Sequence, residues 1–330
     1  MKKILSHENC IGCSENGMLI HGVEVLPENN GLKATMRMDK KREGWIGIPH
    51  GGIGMGAIME MISLHENYPS DPKERFPLQV HFRMGGASAR IGDRVMIHTW
   101  PSLGGAEGQI SVNGAAHPYI SANILFRKDD PLLRETFLNY MPVNINDMGQ
   151  VKADMPNYKH CFVCGLGRQE PGLRRRFQVL DRHGHTLAMA PVGFNESDRE
   201  EFFWCRRGDF LHPLAQLALM DETMGWAGFL ISGHGGVSVR LSFLFTRDIR
   251  IHEKFIVFGR GEQVKGNIEK RMMFWSSGGI AAVKDNGELE MVAASSSQVL
   301  IVPELTEQMR TNLFPSELTH KVFRMAGHSV

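Results

Sequence analysis

The sequence predicts an α+β protein built from two similar halves, each with one long helix packed against an antiparallel sheet. Three observations lead to this prediction. The chain has 330 residues, which is enough for two cores of ordinary size. Several motifs return in the same order in the second half of the chain. Each half also contains one apolar, helix-like segment followed by alternating segments typical of strands.

The repeat is visible in two pairs of motifs. The CxxC pair Cys10–Cys13 returns as Cys161–Cys164, an offset of 151 positions. The triplet His50-Gly51-Gly52 returns as His212-Pro213-Leu214, an offset of 162 positions. The polar insertion Asn195–Glu201, just before the second triplet, accounts for most of the difference. Shared order with a nearly constant offset indicates duplication of one plan.

The central helices and the strands follow from hydrophobic periodicity. Residues Ile53–Leu64 and Leu214–Leu230 are apolar nearly all round, which is typical of a buried helix. Alternating or β-branched segments predict strands after each helix. These strands are Leu78–Phe82, Val95–His98, Ile120–Phe126, Val237–Phe243, Phe255–Phe258, Arg271–Trp275 and Val299–Val302.

The boundary between the halves is predicted within Met141–Asn157, where Pro, Asn and Gly punctuate the chain. We therefore expect an N-terminal domain at residues 1–145 and a C-terminal domain at residues 156–304. Residues 305–330 form a C-terminal appendage after the last predicted strand.

Composition and charge exclude several functional classes. Hydrophobic residues make up 42% of the chain and charged residues 22%, with a formal net charge of +1. The longest basic run is Arg174–Arg176, so we expect neither nucleic acid nor a membrane surface as partner. No segment approaches the ~18 consecutive apolar residues of a membrane-spanning helix. The N-terminus lacks a signal-like apolar run and the five cysteines are odd in number, so we expect reduced thiols and a cytoplasmic location.

A set of motifs resembles the PaaI-like hotdog thioesterases. The set includes His50-Gly51-Gly52, the CxxCG turn that begins at Cys161, and an acid nine positions after His212, which is Asp221. Ser238 lies in a Val-Ser-Val strand, as in some members of that family. The resemblance implies two fused hotdog domains, each a long central helix wrapped by an antiparallel sheet. It also implies hydrolysis of an acyl thioester, such as acyl-CoA, at a site shared by two hotdogs.

The physical chemistry of a helix start explains how such a site would work. The first N–H groups of a helix have no intrahelical partner and point toward the positive end of the helix dipole. The amide of Gly51 could therefore hold the oxygen of a thioester carbonyl. An acid nine residues along a helix lies about 13.5 Å from that helix's own start, so Asp221 must serve the start of an antiparallel partner helix. We expect Gly51 and Asp221 to form one hybrid site.

Gly51 and Asp221 each have a different residue at the equivalent position of the other helix segment. Pro213 follows His212 and has no N–H, and Met59, nine positions after His50, has no charge. We therefore expect a second groove without an amide donor and without a carboxylate. Glu60 is an alternative acid there, although a shift of one residue turns a helical side chain by about 100°.

The remaining candidate site residues carry open alternatives. Gly52 offers a second amide, and His50 either anchors the helix start through hydrogen bonds or transfers a proton. Ser238 either positions water or fills a strand position. Gln79 occupies the strand position equivalent to Ser238 and is a candidate for substrate binding, as is Glu222, which is otherwise a structural partner.

The cysteines and the functional class also leave alternatives. Two CxxC pairs could form a four-sulfur zinc site, but the PaaI-like turn uses such cysteines without metal, so we expect no metal, no cofactor and no disulfide. A non-catalytic acyl-CoA binder or sensor is the second functional hypothesis. A hotdog hydratase or dehydratase is the third, although the sequence does not display the paired Asp and His of those sites. A homodimer of such double chains is a further possibility.

Overall fold

The structure is a computed structural model that describes residues 6–7, 9–14, 17–195, 204–309 and 311. Five α-helices occur within this part of the chain: α1 Gly51–Ile62, α2 Pro72–Arg75, α3 Pro131–Leu138, α4 Pro213–Ser232 and α5 Pro303–Gln308. Short 3-10 helices lie at Lys40–Arg42 and Ile145–Asp147. Within these residues, no helix combines the length and the apolar character that crossing a bilayer requires.

The described residues also form seventeen strands. In chain order they are β1 His21–Leu26, β2 Gly31–Arg37, β3 Glu43–Trp45, β4 Ile48–Pro49, β5 Leu78–Met84, β6 Arg94–Ser102, β7 Gly105–Val112, β8 Ile120–Leu125, β9 Gln150–Asp154, β10 Gln178–Arg182, β11 His185–Val192, β12 Arg206–Arg207, β13 Phe210–Leu211, β14 Gly236–Phe245, β15 Phe255–Asn267, β16 Arg271–Val283 and β17 Leu289–Ile301. β3 pairs with β4 and β12 pairs with β13, each as a small separate ribbon.

Thirteen strands form one antiparallel sheet that runs through both halves. Its order is β1-β2-β6-β7-β8-β5-β14-β17-β16-β15-β11-β10-β9. The first six strands in this order come from the N-terminal half and the other seven from the C-terminal half. β5 and β14 join them, with Leu78 opposite Phe245 and Arg83 opposite Arg240. The two halves therefore share a single hydrogen-bonded sheet.

The two central helices pack against each other and run antiparallel. A Cβ on Gly52 would lie 2.4 Å from Cβ of Ala218, and one on Gly56 would lie 2.8 Å from Cβ of Leu214. Because positions later in α1 meet positions earlier in α4, the helices must run in opposite directions. Because glycine has no side chain, the backbones of the two helices can approach closely here. This crossing brings the start of α1 toward the middle of α4.

Both central helices begin at a histidine that caps them. The Nδ1 atom of His50 accepts a hydrogen bond from the Gly52 amide at 3.0 Å. The Nδ1 atom of His212 accepts one from the Leu214 amide, also at 3.0 Å. A side-chain acceptor at this position satisfies one of the unpaired donors of the helix start. The histidines therefore fix where each central helix begins.

The main hydrophobic core includes residues of α1, α4 and the sheet from both halves. A smaller cluster lies around α3 and includes Phe137, Tyr140, Leu244 and Phe258. The prediction of an antiparallel sheet is confirmed. Both predicted central helices are present, and the structure gives each start within three residues of the predicted one.

The structure also departs from the expected organisation in places. β7 has no counterpart among the predicted strands, and it lies between β6 and β8 in the sheet. The expected linker contains β9, which pairs with β10 and forms one edge of the sheet. Residues 196–201 of the polar insertion and residues 312–330 of the appendage lie outside the described residues.

Candidate functional site

A cavity of about 440 Å³ lies where the start of α1 meets the middle of α4. Its polar wall includes His50 and Gly51 of the N-terminal half with Asp221, Glu222 and Ser238 of the C-terminal half. The rest is largely apolar, with Trp45, Tyr119, Trp226, Phe229 and Phe274 among its lining residues. The antiparallel crossing of the helices thus collects polar groups from both halves in one apolar space.

The Asp221 carboxylate lies beside the start of α1. A Cβ on Gly51 would lie only 2.8 Å from its Oδ2 atom, and the Nδ1 atom of His50 lies 3.9 Å from that oxygen. The Ser238 hydroxyl donates a hydrogen bond to the other oxygen, Oδ1, at 2.8 Å. Burial raises the pKa of Asp221, against the lowering effect of the Ser238 hydrogen bond. The carboxyl group is therefore held in place, with a pKa above that of an exposed aspartate.

The two glycine amides at the start of α1 are not equivalent. The Gly52 N–H is already used by the ring of His50. Gly51 is the first helical residue, so its N–H is one of the donors that lack an intrahelical partner. Among the described residues, the Gly51 N–H donates no hydrogen bond to the protein. Of these two amides, that of Gly51 is therefore the one available to a ligand in the cavity.

His50 is engaged through both ring nitrogens. Its Nδ1 caps α1, and its Nε2 lies 3.2 Å from Oε2 of Glu222. The Trp226 indole donates to the other oxygen of Glu222, also at 3.2 Å. Because Nδ1 accepts the Gly52 N–H, it carries no proton, so the ring is neutral and its proton lies on Nε2, directed at Glu222. His50 thus anchors the helix start, and Glu222 orients its ring.

Gln79 does not join the candidate site. Its side-chain amide donates to Oδ2 of Asp130, the capping residue of α3, at 2.9 Å. Gln79 was placed by counting along the chain from Ser238, but β5 and β14 are antiparallel, and Gln79 lies opposite Leu244. The β5 residue that lines the cavity is Met84, at the other end of the strand.

The opposite groove is smaller, at about 220 Å³, and Met59 and Pro213 are among its lining residues. Pro213 has no N–H to offer. The expectation that this groove lacks a carboxylate is wrong, because Asp248 lines it. Residue counting could not find Asp248, which lies beyond β14. Its carboxylate forms an ion pair with Arg75, so it is already neutralised within the protein.

Glu60 does not line this second groove but points into a buried cluster. Its side chain is fully buried, with Oε1 lying 3.0 Å from Nδ1 of His7 and 3.2 Å from Sγ of Cys10. Its Oε2 contacts Arg207 and lies 2.8 Å from Nε2 of His212. Arginine and histidine together hold the pKa of Glu60 well below its usual range despite the opposing effect of burial. The alternative of Glu60 as a displaced groove acid is therefore not supported.

Cysteines of the two CxxC pairs lie in separate groups of possible metal ligands: both members of the first pair, and Cys161 of the second. Within the described chain, His7, Cys10, Cys13 and Glu60 form one group, and His50, Cys161 and Glu222 form another. A four-sulfur site joining both pairs is not formed among these residues. Sequence reasoning missed His7, although its spacing of three residues before Cys10 was a usable signal.

Comparisons with known proteins place the fold. No model of a known protein family matches the sequence, and no curated protein sequence matches it. The dehydratase domain of PpsC from Mycobacterium tuberculosis, solved in complex with C12:1-CoA, is similar over 86% of this chain and 99% of its own, with 13% identity and a TM-score of 0.53. The tesB protein MAP1729c of Mycobacterium avium subs paratuberculosis is similar over 85% of this chain and 96% of its own, with 11% identity and a TM-score of 0.50. The chain has a hotdog-type fold.

Proposed function

We propose that this chain consists of two fused hotdog domains and hydrolyses an acyl thioester, preferably acyl-CoA, at one hybrid site. The observation that carries the proposal is the meeting of Gly51, at the start of α1, with the Asp221 carboxylate of α4 in one cavity. We place the first domain at residues 1–145. The second begins near residue 150, because β9 belongs to the sheet of the C-terminal half.

The Gly51 amide activates the thioester carbonyl group. A thioester carbonyl oxygen placed at the start of α1 accepts its N–H and lies at the positive end of the helix dipole. Negative charge that develops on this oxygen is stabilised by a donor that needs no rearrangement. The glycine has no side chain to block the approach of the carbonyl.

Asp221 supplies the basic part. Its carboxylate removes a proton from water as the water oxygen bonds to the thioester carbon. The tetrahedral intermediate then collapses, the carbon–sulfur bond breaks, and the thiol leaves with a proton from Asp221. The Ser238 hydroxyl holds the carboxylate in one orientation through its 2.8 Å hydrogen bond. Direct attack by Asp221, through an anhydride, is the alternative route for the same two residues.

The lining of the cavity favours an apolar acyl group. Tyr119, Trp226, Phe229 and Phe274 surround the space next to Asp221. An apolar pocket with a few convergent polar groups is typical of a small-molecule site. The PaaI-like resemblance and the C12:1-CoA bound to the similar PpsC dehydratase domain point to the same substrate class.

A dehydratase is the second candidate, because His50 and Asp221 lie 3.9 Å apart at their nearest nitrogen and oxygen. This pairing was not visible in the sequence. A base must have a free ring nitrogen within reach of the substrate proton. Both nitrogens of His50 are bonded inside the protein, one to Gly52 and one to Glu222. Hydrolysis needs no such base, and we therefore favour it.

The test is thiol release from a panel of acyl-CoAs, together with the variant Asp221→Asn. This change keeps the shape and removes the base, so kcat should fall by roughly a hundred- to ten-thousand-fold. Asp248→Asn is the matched control, because it makes the same change in the opposite groove and should leave turnover intact.

Other outcomes distinguish the alternatives. Wild-type turnover by Asp221→Asn would make the carboxylate structural. Stoichiometric binding of an acyl-CoA without any hydrolysis would establish a binding protein or sensor. Loss of water from a 3-hydroxyacyl-CoA, without thiol release, would establish a dehydratase.

A further inference from the structure

The N-terminal segment brings three potential metal ligands to Glu60 of α1. The Nδ1 atom of His7 lies 3.0 Å from Glu60 Oε1, and Sγ of Cys10 lies 3.2 Å from the same oxygen. Sγ of Cys13 lies 3.4 Å from Nδ1 of His7. All four ligand atoms lie within 4.8 Å of one another. The proposed hydrolysis uses none of these residues.

These distances match a tetrahedral zinc site. Usual zinc–ligand bonds of about 2.0–2.3 Å place nitrogen and oxygen ligands about 3.4 Å apart, and sulfur about 3.6 Å from either. The three distances in the cluster fall short of these values by about 0.4 Å or less. One ion could therefore bind all four atoms after small side-chain adjustments.

The surroundings support the ligands in the way a metal site requires. The Gly12 amide donates to Sγ of Cys10 and the His7 amide donates to Sγ of Cys13, both at 3.3 Å. Such donors stabilise a thiolate. Ligating carboxylates are commonly held by further hydrogen bonds. Here Glu60 leaves Oε1 toward the possible metal, while its other oxygen, Oε2, is held by Arg207 and by His212.

The charges of this cluster balance when a divalent ion is present. Two thiolates and the Glu60 carboxylate carry three negative charges, and a divalent ion with Arg207 carries three positive charges. A buried charge is costly unless it is paired, so this balance favours binding. Binding would release the protons of the two thiols.

The second CxxC pair provides an internal comparison. The residue three positions before Cys161 is Tyr158, where the first pair has His7. Sγ of Cys161 lies 3.9 Å from both oxygens of Glu222, farther than Cys10 lies from Glu60. Among the described residues, the ligand group there has three members, and its histidine, His50, already caps α1. The CxxC turn is present in both halves, but within the part of the chain that the structure describes a set of four ligands is present at the first turn alone.

We propose that His7, Cys10, Cys13 and Glu60 bind one Zn²⁺ ion in a closed, structural site. The mixed sulfur, nitrogen and oxygen set suits zinc, and four protein ligands leave no open position for catalysis. This departs from the expectation of no metal, which considered only the cysteines. The ion would fasten the N-terminal segment to α1, next to the Arg206–Arg207 strand of the other half, where the Ile11 amide bonds the Arg206 carbonyl at 3.1 Å.

The experiment measures metal in protein purified without chelator and under a thiol-free reductant. We expect about one zinc per chain by elemental analysis in the wild type, and its loss in Cys13→Ser and in His7→Tyr. The second variant copies the Tyr158 arrangement. Cys164→Ser is the matched control, because it alters the equivalent position of the other CxxC pair and should keep the zinc.

Cobalt substitution supplies a readout that does not depend on purification history. Protein reloaded with Co²⁺ should show thiolate-to-cobalt charge transfer and tetrahedral d–d absorption in the wild type and in Cys164→Ser. Both signals should be lost in Cys13→Ser. Fully reduced protein with all five thiols titratable, but with neither zinc nor cobalt–thiolate absorption, would overturn the proposal. Full zinc content in Cys13→Ser would do so as well.

Discussion

Gly51→Ala tests the contact between the two halves at the candidate site. The added Cβ would lie 2.8 Å from Oδ2 of Asp221, whereas ordinary contacts begin at 3.4 Å, so one group must move by about 0.6 Å. The carboxylate has little freedom, since Ser238 holds it and only 11% of its side chain is exposed. Met84 is closer than usual to the new atom, at 3.2 Å from its Cε, but its flexible end can turn away.

The expected result is a loss of activity without a loss of stability. A misplacement approaching 1 Å can cost on the order of a hundred-fold in rate, so we expect kcat/KM to fall about ten- to hundred-fold, or about 1.4–2.7 kcal/mol. Alanine favours the helix by up to about 1 kcal/mol over glycine, and Gly51 does not have a left-handed backbone, so Tm should not fall.

The assay compares thioester hydrolysis and thermal unfolding of three proteins: wild type, Gly51→Ala and Gly225→Ala. Gly225 is a suitable control because it also lines the cavity on a helix, yet a Cβ there meets no atom within 4 Å. Its substitution should cost far less activity. Wild-type kcat/KM for Gly51→Ala would refute the idea that close approach of Asp221 to the helix start matters for the reaction.

Three further predictions concern charged groups. Because burial raises the pKa of Asp221, and the base must be ionised, kcat/KM should fall as pH drops through a pKa above that of an exposed aspartate; a rate that rises on acidification would contradict this. Ser238→Ala removes a hydrogen bond that lowers this pKa, so the acidic limb of the pH profile should move to higher pH, and an unshifted limb would argue against the contact. Glu60→Gln, compared with the wild type in zinc-free protein, leaves Arg207 without its buried partner and should cost about 3–5 kcal/mol in urea unfolding. An unchanged urea midpoint would show that this ion pair contributes little.

The recurring motifs allowed the sequence to predict contacts between distant residues. His50 and His212 mark helix starts, and an acid two and a half turns along one helix can only serve the start of an antiparallel neighbour. This reasoning paired Gly51 with Asp221, and the structure places the two side by side in one cavity. Helix periodicity is regular enough for such counting to succeed over many residues.

Counting positions along the sequence failed where tertiary contacts determine which residues meet. Gln79 was matched to Ser238 by position, but strand register depends on which strands pair and in which direction, and β5 runs antiparallel to β14. β9 was not predicted, because its residues resemble a linker in sequence. They form a strand because they pair with the edge strand β10. Glu60 and Arg207 come from separate segments with no shared motif, so nothing along the chain predicts their ion pair.

The covalent joining of the two halves permits what an assembly of identical subunits cannot. In a symmetric dimer every substitution appears twice, so a proline at the helix start would remove the amide from both grooves at once. Here Pro213 removes the amide donor from one groove, while Gly51 retains it in the other. Likewise, Met59 stands in one groove where the other has the acid Asp221. In the proposed fusion of two hotdog domains, each half can therefore accept changes that would inactivate a homodimer, and the second groove is open to selection for a separate role.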